Sequence, residues 1–160
     1  SMRKLGLPTF KVEKPMFPVL SELQEEIIWC LAVRRLVEET NNFGVFGIFL
    51  KEKKADFNVK EIKMSIKTRG DEEGLSLREI AFLIADKREE IDNVEKKVRR
   101  EINSLVANGF VYPRVVKRKG RGRPDVTVFL PNLENVYVRK VLECLRMRLA
   151  EKFNESSEKN

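Results

Sequence analysis

The sequence predicts a mainly α fold with a small β component. Three observations carry this. Apolar residues recur at helical spacing after Ser21, between Ser76 and Leu105, and after Leu133. Two short runs, FVYPRVV (110–116) and DVTVFL (125–130), alternate as strands do, with a basic, glycine-bearing tip between them. The hydrophobic content, 42%, is ordinary for a globular chain of 160 residues, enough for one domain with a core and appendages.

Local chemistry supports each element in turn. Residues 1–19 carry Pro8, Pro15 and Pro18 among scattered lysines and read as an extended arm. Ser21 is a favourable N-cap ahead of an acidic first turn, so a helix should run to about Glu39 and stop near Asn41 and Asn42. Its middle, IIWCLAV (27–33), is apolar around the whole circumference. A surface helix shows only a stripe, so this one should be covered on two sides, by its own domain and by something else. Within 43–74, Ile62, Met64 and Ile66 alternate, which favours a hairpin turning at Lys53–Asp56; a short helix over 57–66 is the alternative. RGDEEG (69–74) reads as a loop. Ser76 with Glu79 makes a capping box for a short helix whose apolar face is Ile80, Leu83 and Ile84. DKREEID (86–92) is a polar break, and Asp92 or Asn93 can cap the next helix. That helix keeps Val94, Val98, Ile102 and Leu105 on one face and ends at Gly109. Pro131 closes the second strand. From Leu133 to about Phe153 a further helix carries Val138, Leu142, Leu145 and Leu149 as a narrow seam, and residues 154–160 read as a disordered tail. The domain proper is thus 20–132, with an insertion at about 43–74, followed by the helix at 133–153.

Composition excludes several function classes. Histidine is absent, which removes imidazole acid–base catalysis, Ser-His and Cys-His pairs, and most zinc sites. Cys30 and Cys144 are far apart, form no CxxC and sit in apolar helical patterns, as buried reduced thiols in a cytoplasmic protein do. No apolar run reaches the roughly 20 residues of a membrane-spanning helix, and no signal peptide opens the chain; Ser1 ahead of Met2 reads as an expression remnant. Many Lys, Arg and Glu beside a single glutamine, Gln24, point toward a thermophile. EIK (61–63) with Asp56 upstream echoes half of a metal-dependent nuclease motif, but its spacing is too short. Phosphate-loop and calcium-loop spacings are missing. No enzyme, catalytic residue, metal or cofactor is expected.

Charge placement is the strongest functional signal. Between Asn93 and Arg123 ten Lys or Arg face two acids, Glu95 and Glu101; that window carries +8 of a chain whose net charge is +7, leaving −1 for everything else. Localised cationic charge is the footprint of a polyanion binder. With the Val94/Val98/Ile102/Leu105 stripe turned to the core, the opposite side of the helix holds Asn93, Lys96, Arg100 and Asn103, flanked by Lys97 and Arg99. Arg forks onto guanine, Asn bonds two edges of adenine, and Lys suits phosphate or guanine. A solvated helix face is the bland alternative. In the hairpin tip VVKRKGRGRPDV (115–126), Gly120 and Gly122 serve a tight turn, but Lys117, Arg118, Lys119, Arg121 and Arg123 repel one another without compensation. A phosphate backbone or a narrow minor groove would compensate them.

The order helix, turn, helix, basic hairpin, carried by SLREIAFLIA, NVEKKVRREINSLVANGFV and KGRGRPDVTVFL, resembles the winged helix-turn-helix domain, in particular transcriptional regulators of the broad MarR, ArsR, PadR and TrmB type. RGRP (121–124) also resembles the core of an AT-hook. The resemblance implies a winged helix-turn-helix with an added C-terminal helix, the second helix of the motif in the major groove, and the wing on the minor groove or backbone. The expected partner is double-stranded DNA, bound sequence-specifically by a transcriptional regulator. Arg121 and Arg123 are then expected at the groove, and Lys117, Arg118 and Lys119 at phosphates. The long 43–74 segment departs from the short connection usual in such domains. The surplus apolar surface of 27–33, joined with the terminal seam, favours a homodimer reading a near-palindromic site. Two other readings stay open: a winged-helix module for protein interaction or assembly, and a DNA-binding replication or mobile-element protein.

Overall fold

The structure, a computed structural model, describes residues 19–50, 56–118, 120 and 122–158. The expected arm over 1–19 lies outside these residues but for Val19, as do Lys119 and Arg121 of the hairpin tip. The chain is mainly helical with a small three-stranded antiparallel sheet. In order it forms α1 (Glu22–Thr40), α2 (Gly44–Leu50), α3 (Asp56–Thr68), β1 (Leu75–Ser76), α4 (Leu77–Ile84), a 3₁₀ turn at Arg88–Glu90, α5 (Ile91–Ala107), β2 (Val111–Val116), β3 (Val126–Pro131) and α6 (Val136–Glu158). Among the described residues no helix is long and apolar enough to cross a membrane.

Helix α1 starts where Ser21 suggests. Its hydroxyl accepts from the Gln24 N–H at 3.1 Å while the Gln24 side chain accepts from the Ser21 N–H at 2.9 Å, a reciprocal cap. Every residue from Ile27 to Val33 is buried, because α1 is the axis of the core and packs against α2, α4, α5, α6 and β3. The seam of α6, Val138, Leu142, Leu145 and Leu149, is buried with it. The apolar circumference that suggested a second copy is therefore covered within one chain.

The 43–74 segment corrects the hairpin expectation. Two helices stand there, and Asp56, placed at the hairpin's tip, opens α3; the rest of that tip lies outside the described residues. Ile62 and Ile66, four apart, are buried, while Met64 between them is 64% exposed. That is a helical face, not an alternating strand. The loop after α3 is held by buried polar groups. The Arg69 guanidinium forks onto Glu79, with Nε to Oε2 at 3.0 Å and Nη2 to Oε1 at 2.9 Å, and also donates to the carbonyls of Glu72 (2.6 Å) and Gly74 (2.7 Å). From α1, Arg34 donates to the same two carbonyls at 3.1 Å each, and Glu38 accepts the Gly74 N–H at 2.8 Å. One carboxylate, Glu79, thus caps α4 through the Ser76 N–H (3.0 Å), pairs with Arg69 and accepts from the Ser65 hydroxyl on α3 (2.6 Å).

This loop delivers β1, a two-residue strand that pairs with β3 (Leu75 opposite Phe129, Ser76 opposite Val128), so the sheet order is β1-β3-β2. β2 is an edge strand, which is why Pro113 is tolerated in it. The hairpin keeps full register from Val111–Pro131 to Val116–Val126, over a small cluster of Val116, Val128 and Leu130. α6 begins later than Leu133, because the Asn135 side chain caps it by accepting the Val138 N–H at 3.1 Å. It runs on to Glu158, where the sequence had suggested a disordered tail from Asn154.

Candidate nucleic-acid interface

α5 carries the first candidate surface. Its buried stripe is Ile91, Val98, Ile102 and Leu105, with Val94 half-buried, so the stripe extends one turn further toward the N-terminus than Val94 implied. Asp92 and Asn93 do not cap the helix. The 3₁₀ turn feeds directly into Ile91, the cap position is Glu90 without a side-chain bond, and Asp92 and Asn93 lie in the first turn. Gly109 ends α5 as expected: its N–H donates to Val106 at 3.1 Å and that of Phe110 to Leu105 at 3.0 Å. With both ends set and the stripe inward, Asn93, Lys96, Lys97, Arg99, Arg100 and Asn103 are all exposed on the outward side.

The tip joining β2 to β3 spans 117–125. Gly120 has φ 125° and Gly122 φ 79°, both in the region that favours glycine. The Arg123 N–H closes the turn onto the Gly120 carbonyl at 3.5 Å, and the Arg123 stem crosses the face of Gly120, its Cδ 3.5 Å from where a Cβ would stand. Lys117, Arg118 and Arg123 are exposed.

Helix and hairpin meet in a cleft of about 550 Å³, bounded by α4, the N-terminal half of α5 and the base of the hairpin. Arg99 and Arg118, one from each predicted group, line it together with Arg78, Glu95, Asp125 and Thr127. Arg78 was missed by sequence reading, although it stands two residues past the Ser76 cap. It bonds Asp92 at 2.7 Å, lies 5.6 Å over the Phe82 ring and approaches Glu95 at 3.8 Å. The bond to Asp92 holds its pKa above the usual arginine value. Arg99 meets Glu95 at 3.9 Å. Arg114, counted in the basic window, is instead neutralised by Glu72 and Glu73 at 3.6 and 3.5 Å. Among the described residues, Lys96, Lys97, Arg100, Lys117, Arg118 and Arg123 take part in no ion pair. Like charges left uncompensated repel one another and attract a polyanion.

No protein-family model, curated protein or solved structure matches the chain.

Proposed function

We propose that the chain is a winged-helix protein that binds double-stranded DNA sequence-specifically and acts as a transcriptional regulator. In this reading β1, α4, α5, β2 and β3 form the winged motif, α1 and α6 are its scaffold, and α2 with α3 are an insertion. α5 enters the major groove, and the hairpin lies on the backbone or minor groove. The observation that carries the reading is that α5 and the hairpin, each bearing exposed cations without an ion pair among the described residues, border one cleft, which Arg99 and Arg118 line. Lys96, Arg100, Asn93 and Asn103 supply donors suited to base edges, and Lys117, Arg118 and Arg123 supply charge for phosphates. Occupying a site is enough to block or recruit polymerase, and no chemical step is needed. With the apolar surface of α1 used inside the chain, the proposal is for one recognition surface per chain.

The test is selection of bound sequences from random duplexes, followed by titration of the winner at several salt concentrations. The affinity should fall with a log–log slope of several units, about 0.9 per phosphate neutralised. Arg100→Ala should relax base preference at one position, whereas Lys117→Ala should weaken all sequences alike and lower the slope by about 1. Affinity that ignores salt, or survives removal of the hairpin tip, would overturn the reading. Retention on heparin without duplex binding would support an acidic protein partner instead.

A further inference from the structure

We propose that the cleft between α4, α5 and the hairpin base is a subsite for one backbone phosphate of the duplex, and that Glu95 holds its anion position in the free protein. The inference rests on the DNA-binding reading above and adds Arg78 as a binding residue and Glu95 as one that restrains binding. Three guanidinium groups line the cleft, Arg78 from α4, Arg99 from α5 and Arg118 from the hairpin. Two of them address the Glu95 carboxylate, at 3.8 Å from Arg78 and 3.9 Å from Arg99. Both separations are too long for hydrogen bonds. The carboxylate therefore balances charge without saturating the donors aimed at it.

The rest of the site is better fixed than this centre. Arg78 is anchored by its 2.7 Å bond to Asp92 and by the Phe82 ring, so its position does not depend on Glu95. Arg118 forms no ion pair among the described residues, and Asp125 is the other acid on the wall that is not already neutralised, Glu79 being committed to Arg69. A phosphodiester offers acceptor oxygens in two directions and can bond donors from opposite walls at normal length, which the side chain of Glu95, tied to α5, does not do here. Binding then displaces a weak internal pair with a stronger external one. The carboxylate left beside the phosphate subtracts from the affinity. It sets how tightly the protein holds any duplex, independent of sequence.

The experiment is a double-mutant cycle on duplex binding with the full chain, comparing wild type, Glu95→Gln, Arg78→Ala and the double variant, each on the selected site and on a scrambled duplex. Glu95→Gln should tighten binding to both duplexes by the same factor, about two- to tenfold, and steepen the salt slope by about 1. Arg78→Ala should weaken both, and the gain from Glu95→Gln should shrink in its presence, since the two act on one position. Thermal unfolding of each variant checks that the side chains were changed without loss of fold. If wild type binds duplex but Glu95→Gln binds equally or more weakly, or changes preference between the duplexes, the inference falls and the DNA-binding reading stands. If wild type binds no duplex, the reading itself falls and takes the subsite with it.

Discussion

Gly74 shows how much a single backbone position carries. Its φ is 83°, and a Cβ there would stand 2.7 Å from the Phe129 carbonyl oxygen. Its carbonyl accepts from the buried Arg34 and Arg69, and its N–H donates to the half-buried Glu38. Gly74→Ala must strain the backbone and push β1 away from β3, so it should cost about 1–3 kcal/mol or more in a denaturant titration. Arg69 and Glu79 make the complementary point. Their side chains are 2% and 1% exposed, so removing one partner strands a buried charge. Arg69→Leu should lower stability by about 3–5 kcal/mol, measured by chemical denaturation, and a loss below about 1 kcal/mol would contradict that account.

Among the elements, α1 and α6 are joined at one end by charge as well as by the apolar seam. Arg146 donates through Nε to Glu39 at 3.1 Å and through Nη2 to the other oxygen, and this holds the Glu39 carboxyl below its ordinary range. A carboxyl with a lowered folded-state pKa adds stability above its unfolded value, 4.5, and that contribution is lost as pH falls through the lowered folded value. Both partners are partly solvated, so the pair is worth about 0.2–1 kcal/mol. Wild type should exceed Glu39→Gln by that amount at neutral pH, and the gap should close on acidification below about pH 4; an unchanged gap at pH 3 would sink the assignment. The cap at Ser76 and the end at Gly109 were legible because each rests on residues three or four apart. α3 was not, since Ile62, Met64 and Ile66 fit a strand template as well as a helix, and only the neighbours show Met64 facing solvent. β1 was invisible for a related reason. Two residues have no period, and their pairing partners lie more than fifty positions away.

For the molecule as a whole, one chain suffices to bury its central helix. Trp29, the single tryptophan, is fully buried in that helix and packs edge-on against Phe49 at 6.4 Å between ring centres. Its fluorescence should therefore report unfolding with a midpoint that does not change over a hundredfold range of protein concentration, as mass action requires for a monomer. A midpoint that rises with concentration would show that a second copy completes the fold. Leu142→Ala in the seam should cost about 2–5 kcal/mol by the same readout, because α6 packs there on α1.

Composition and short-range pattern were enough to establish a mainly helical chain, the helix before the hairpin, the hairpin itself and the concentration of positive charge on them. These depend on spacings of two to four residues, where backbone geometry leaves few options. Burial of the whole circumference of α1, the helical state of 56–68, the late start of α6 and the gathering of Arg78, Arg99 and Arg118 in one cleft with Glu95 came only with the packed chain. Each of them depends on groups far apart in sequence, and no local preference specifies which long-range neighbour fills a face or answers a charge.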